Sequence, residues 1–141
     1  MTGIDPRGPR FTASVTAVLL VAALLTPPAV AGTLVAIQLL FFLSGVLLGV
    51  QHTPTGLLFR SLVRPRLSPP ADLEDPRPPR FAQGVGLVFT AVALTGYLSG
   101  ATLLGQVAVG LALVAALLNA VIGLCLGCEL YLLGLRVARR P

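Results

Sequence analysis

Charge is the scarcest property of this sequence. Its 141 residues include ten Arg, five Asp or Glu and no Lys, so 11% are charged and 55% are hydrophobic. Soluble domains carry about 25% charged residues. A water-soluble globule of this size leaves too much of its surface exposed to hide so much apolar matter, which excludes a soluble enzyme. A mean hydropathy of +0.91 agrees. The net charge of +5 comes from arginine, but a basic nucleic-acid groove needs a soluble surface to display it, so nucleic acid is excluded as a partner. The partner this composition requires is a lipid bilayer. No charge falls in the middle of an apolar stretch, which argues against an ion pump or proton relay. Neither a phosphate-binding loop nor a hydrolase nucleophile motif is present. Arg without Lys, on an Ala/Leu/Val/Gly background, matches the coding bias of a GC-rich bacterial genome, and no mechanism rests on it.

What charge there is lies in three short regions. They hold Asp5, Arg7 and Arg10, then Arg60 to Arg80, then Glu129, Arg136, Arg139 and Arg140. Between them run two uncharged stretches, Phe11 to Phe59 and Phe81 to Cys128. Each far exceeds the ~20 residues of a membrane-spanning helix, so each must fold back on itself. Thr26-Pro27-Pro28 breaks the first, because proline lacks an N–H and disfavours helix before it. Ser99-Gly100-Ala101-Thr102 is the polar turn of the second. The expectation is an all-α polytopic membrane domain over residues 1–141, with spans at about 10–25, 29–50, 79–98 and 102–127. All ten arginines lie on one side of this arrangement and none lies in the two turns. The positive-inside rule then places both termini in the cytoplasm of a bacterial inner membrane. Arg7 and Arg10 before an apolar run ending in Ala29-Val30-Ala31-Gly32 also imitate a cleavable signal.

An internal repeat weighs against cleavage. Asp5-Pro6-Arg7-Gly8-Pro9-Arg10-Phe11 recurs as Asp75-Pro76-Arg77-Pro78-Pro79-Arg80-Phe81, offset by 70 with six of seven positions identical. Phe59 to Pro65 resembles Leu135 to Pro141 at an offset of 76. The chain reads as two copies of one unit, 5–65 and 75–141, joined by a proline-rich linker over 65–79. Each unit is a polar lead, a helical hairpin and a basic exit, the two related by an axis along the membrane normal. Asp before Pro suits a helix N-terminus. Arg7, Arg10, Arg77 and Arg80 have two readings, as headgroup anchors or as pairs converging on an anion. From Thr53-Pro54 a short helix to Arg64 is expected, with Leu57, Leu58, Leu62 and Val63 in the interface and Arg60 and Arg64 toward water.

Cys125-Leu126-Gly127-Cys128-Glu129 is the most specific chemical feature. Cysteines three apart on a helix share a face, and a count along the fourth span puts them near its cytoplasmic end. Three readings stand open. The pair can be packed small hydrophobes; a redox pair in which one thiolate attacks and the other resolves; or half a metal site completed by His52, Glu129 or a second subunit. Under the redox reading Cys128, nearer water, attacks and Cys125 resolves. His52 or Glu129 moves protons, and Arg80 and Arg136 hold an anionic sulfur species. Gln38 and Gln106 fall at similar depth in matching helices and can bond across the repeat axis, whereas Asn119 faces away from Cys125 on an ideal helix. Gly45-x-x-x-Gly49, Gly96-x-x-x-Gly100 and Gly123-x-x-x-Gly127 permit close helix contact.

The doubled Asp-Pro-Arg-x-Pro-Arg-Phe, the proline-rich linker and the terminal Cys125-Leu-Gly-Cys128-Glu-Leu-Tyr131 together resemble a bacterial membrane family, domain of unknown function 4395. The resemblance covers nearly the whole chain. It implies a small four-helix inner-membrane protein of a kind often encoded near rhodanese-type sulfurtransferases and thioredoxin-like proteins, which favours the thiol reading. It leaves the cofactor unknown and transfers no active site.

Overall fold

The computed structural model describes residues 3–140; Met1, Thr2 and Pro141, at the edges of the expected domain, lie outside the described residues. Among the described residues six α-helices follow in order: α1 Arg7–Leu24, α2 Pro28–Leu48, α3 Pro54–Leu58, α4 Arg77–Leu98, α5 Thr102–Ile122 and α6 Leu126–Ala138. Between α3 and α4 the chain takes a wide π turn at Phe59–Val63 and a tight turn at Arg64–Arg66. The expected breaks at Pro27 and Gly100 are where α1 gives way to α2 and α4 to α5. Three helices, α2, α4 and α5, are long and apolar enough to cross a membrane. Helix α1 has 18 residues, but Arg7 and Arg10 occupy its opening turns.

One boundary departs from expectation. The last apolar run, expected as a single span over 102–127, ends as a helix at Ile122 because Gly123 turns left-handed at φ +73°. A separate helix, α6, starts after Cys125. Gly49, at φ +95°, ends α2 in a related way. Glycine has no Cβ to oppose either conformation.

The helices pack crosswise. α2 lies mainly on α4, and α1 mainly on α5, while α4 also contacts α5 and carries α6. The core holds Leu20, Ala23, Ala31, Val35, Ala93 and Val109, with Ala108 and Ala112 beside them. Small residues suit this setting: lipid tails are as apolar as leucine, so helices associate through close van der Waals approach. The three expected glycine pairs divide this labour. Gly45, Gly96 and Gly127 pack against Gln83, Gly105 and Ala82 respectively, while Gly49, Gly100 and Gly123 have positive φ and end their helices. Large apolar side chains point outward, with Val18 69%, Leu103 72% and Val121 70% exposed. That is an outer face suited to lipid.

The two leads meet at one end of the bundle. Ile4 and Glu74 exchange both backbone hydrogen bonds at 2.9 Å as an antiparallel bridge. They stand 70 apart, the offset between the two motifs. Each Asp organises its own lead. Asp5 accepts the Arg7 backbone N–H at 3.0 Å and its guanidinium at 2.7 Å. Asp75 accepts the Arg77 N–H at 2.9 Å and its guanidinium at 2.8 Å. Pro6 and Pro76 therefore fall one residue outside their helices instead of opening them.

Arg10 and Arg80 reach further. Arg10 donates to the carbonyls of Ala120 and Val121 at 3.3 and 3.2 Å, the last turn of α5. Arg80 donates to Val46 and Leu47 at 2.7 and 3.0 Å, the last turn of α2. The last four carbonyls of a helix have no partner inside it, and guanidinium donors complement both that deficit and the negative end of the dipole. Aromatic pairs complete the end: Phe11 lies 5.8 Å from Phe59, and Phe81 lies 5.6 Å from Tyr131.

Two consequences are measurable. A Cβ on Gly127 would stand 2.6 Å from Ala82 Cα, whereas one on Gly134 meets nothing within 4 Å. Gly127→Ala is therefore expected to cost ~1–3 kcal/mol in detergent unfolding by overpacking, and Gly134→Ala to be neutral or slightly stabilising. Equal effects would contradict this packing. Asp5 is 4% exposed at its side chain. The Arg7 guanidinium holds its carboxyl below the usual carboxylate range, against an opposing effect of burial. A depressed folded-state pKa gives stability that is present above the unfolded value of about 3.9 and is lost as pH falls through the folded value. Thermal stability should hold through neutral pH and fall below about pH 4. Asp5→Asn should lower it at pH 7 by about 1–2 kcal/mol and make the acid limb shallower. An unchanged acid limb would count against the pairing.

Candidate functional site

The break at Gly123 builds the site. Its N–H closes the end of α5 on the Asn119 carbonyl at 3.0 Å, and the Leu124 N–H bonds Leu118 at 3.1 Å. Cys125 follows in extended conformation as the N-cap of α6. Its Sγ accepts the Cys128 N–H at 3.2 Å, and its carbonyl accepts the Glu129 N–H at 3.0 Å. Cys125 and Cys128 lie with Cα atoms 5.2 Å apart, joined as a disulfide. Their closeness thus arises from a capping turn and not from a shared face of the fourth span. Thr53 is the N-cap of α3 in the same manner, its hydroxyl accepting the Gly56 N–H at 2.9 Å.

Behind Cys125 lies a cavity of about 360 Å³ among α1, α4, α5 and α6. Its walls are largely apolar, Phe89, Leu111 and Val114 among them, with Thr12, Thr16, Gln83 and Asn119 as polar points. The Thr12 hydroxyl is engaged by Thr55 at 3.1 Å. Helix α6 is held over this cavity by Gly127 against Ala82 and by Tyr131 against Phe81.

The remaining expected residues are dispersed. Glu129 is exposed in the first turn of α6, next to the pair. His52 is exposed, its Nδ1 2.9 Å from the Leu48 carbonyl, and it lines a different cavity at the lead end. Arg7 and Arg77 are held by Asp5 and Asp75, and Arg10 and Arg80 by helix-end carbonyls. Arg136 is exposed on α6. These five arginines do not come together on one point. Among the described residues, no three His, Cys, Asp or Glu side chains gather to hold a metal ion.

Two expectations about polar residues are corrected. Gln38 is buried at 1% exposure with its Oε1 unpartnered, whereas Gln106 is exposed, so the two do not bond across an axis. Asn119 shares the cavity with Cys125, because the wheel of an unbroken helix does not apply across Gly123. Sequence reasoning missed Gln83, Thr12 and Thr16. Gln83, a polar residue two positions inside Phe81 in an otherwise apolar span, was the available signal.

No curated protein and no solved structure matches the chain. The family described as Domain of unknown function (DUF4395) matches residues 4–136, nearly the full length, and the chain belongs to that family.

Proposed function

We propose that this protein crosses the bacterial inner membrane four times and carries out thiol-redox or sulfur-transfer chemistry through Cys125 and Cys128 at its cytoplasmic face. The fourth crossing is α1, whose lipid-facing Val18 and Val21 sit beside three apolar helices. Two reciprocal arrangements support a duplicated pair of hairpins: the Ile4–Glu74 bridge, and the Arg10 and Arg80 bonds to the opposite helix end. With Arg7, Arg10, Arg77 and Arg80 at one end of the bundle, the positive-inside rule supports cytoplasmic leads and exits.

The observation that carries the chemical reading is the disulfide itself, at the N-terminus of α6 and in the wall of an apolar cavity. It also suggests roles opposite to those expected from depth. In the disulfide form Cys125 Sγ receives the Cys128 N–H and stands at the N-terminus of α6, two features that would stabilise a thiolate there on reduction. Cys125 is then the attacking thiol. Its thiolate bonds to one sulfur of a substrate disulfide or sulfane and displaces the other as a thiolate, a hydrosulfide or, from thiosulfate, sulfite. Cys128 then gives its proton to Glu129 or water, attacks Cys125 Sγ, closes the internal disulfide and releases the second sulfur. The substrate gains two electrons and the protein loses two. A cytoplasmic thiol carrier of the thioredoxin-like class, or a membrane reductant, returns them.

A second reading has its own support. The outer surface of α6 exposes Leu130, Leu133 and Val137 beside Arg136, Arg139 and Arg140. That surface suits a non-catalytic anchor docking a cytoplasmic sulfurtransferase or thioredoxin-like protein.

Thiol trapping of the reduced, purified protein separates the two. Thiosulfate or a short-chain quinone should convert Cys125 and Cys128 to the disulfide, and the double variant Cys125→Ser, Cys128→Ser should fail to complement a deletion strain. Complementation by that variant would leave the anchor reading standing alone. For topology, reporters fused after Pro27 and after Gly100 should both be active only outside the cytoplasm; cytoplasmic activity at either position would refute four crossings.

A further inference from the structure

The arginines singled out for anion binding at the leads are engaged by the protein itself, but two others at the same end are held only distantly or not at all. Arg60 makes no ion pair among the described residues, and Arg64 comes no closer to a carboxylate than 4.0 Å, at Asp5 Oδ2. That oxygen already accepts Arg7 at 2.7 Å. Both arginines, with His52, line a cavity of about 290 Å³ bounded by the first lead, the end of α2 and the π turn. We propose that this cavity binds a tetrahedral oxyanion, a phosphate group, between Arg60, Arg64 and His52.

Four observations converge on it. Asp5, the cavity's carboxylate, is neutralised by Arg7, so the local balance is positive. Arg60 and Arg64 stand four apart across a π turn, a rare conformation that is frequent at functional sites, and both line this cavity. The third residue is oriented by a hydrogen bond. A carbonyl can only accept, so the 2.9 Å contact from His52 Nδ1 to Leu48 O puts a ring hydrogen on Nδ1. Nε2 is then the ring nitrogen left outside that bond, and the ring lines the cavity. Finally, Gln51 lines the same cavity with Oε1 buried and unpartnered, and rotation of that amide offers a further N–H donor.

The rest of the wall tells what the phosphate is attached to. Ile4, Val50, Phe59 and Leu73 give the cavity an apolar side, and the exposed Leu57, Leu58 and Leu62 lie on the adjoining surface. An oxyanion site with an apolar flank, level with the end of a membrane helix, fits a phospholipid headgroup. Free phosphate shares the same recognition chemistry. Nothing in this site depends on the disulfide, whose cavity is a different one.

The test uses the full-length protein in neutral detergent with two probes, phosphatidylglycerol and inorganic phosphate, read by native mass spectrometry and by thermal shift. One equivalent of one probe should bind. Arg60→Gln with Arg64→Gln should weaken it on the order of 100-fold, each guanidinium accounting for about tenfold. Arg66→Gln, outside the cavity, should change nothing. Phosphatidylglycerol that resists excess phosphate identifies the headgroup as ligand; displacement by phosphate identifies the free anion. If the glutamine variant fails to fold, Arg60→Lys with Arg64→Lys carries the test: charge remains but the bidentate fork is lost, giving intermediate affinity. Binding of neither probe by the wild type, or full binding by the folded variants, overturns the proposal.

Discussion

The structure depends on the way its helix ends are satisfied. A helix that stops near lipid leaves carbonyls without partners, and in that environment they must be answered by the protein. Here α5 stops at Gly123 and α2 at Gly49, and in each case an arginine from the opening turns of a distant helix supplies the donors. Arg10 crosses 110 residues of sequence to do this, and Arg80 crosses 34. Each bond ties one hairpin to the other, so the same contacts that finish the helices also assemble the bundle. The paired leads, the aromatic contacts and the crosswise packing of α1 on α5 and α2 on α4 are arranged around them.

Because α5 is finished in this way, the chain is free to turn and begin again. The turn places a cysteine where an N-cap oxygen normally stands, and the Thr53 cap of α3 shows the ordinary version of that arrangement. A sulfur at this position faces backbone N–H groups on one side and an apolar cavity on the other. Thiolate chemistry needs the first, and exclusion of water from a reactive sulfur is helped by the second. The helix break that ends α5 is thus also the place where the two cysteines are brought together.

Much of this was legible in the sequence. Segregation of charge located the apolar helices, and Pro27 and Gly100 located two turns, because proline and glycine act locally. The doubled Asp-Pro-Arg motif foretold that the leads are special, since Asp and the next-but-one Arg interact within one turn of chain. The break at Gly123 was not legible. It lies in a run of apolar residues where glycine equally signals close packing, and the structure uses Gly127 for that and Gly123 for the turn. The error carried forward: with an unbroken helix, Asn119 faces away from Cys125 and the cysteines share a helical face, and neither holds. The arginine partners were illegible for a different reason. An arginine's partner in a helix-end carbonyl is set by tertiary structure, so Arg10 and Arg80 look like free cations in sequence, while Arg60 and Arg64, exposed to water as expected, also line a cavity.

The central chemical claim is that Cys125 and Cys128 act as one reversible two-electron couple. A redox titration of the full-length protein in membranes, equilibrated against dithiol buffers, acid-quenched and tagged with a mass-shifting maleimide, measures this directly. Both thiols should disappear together along a single two-electron curve, with no singly tagged species accumulating. Two thiols that stay reduced at every potential, or that titrate one at a time, would contradict it.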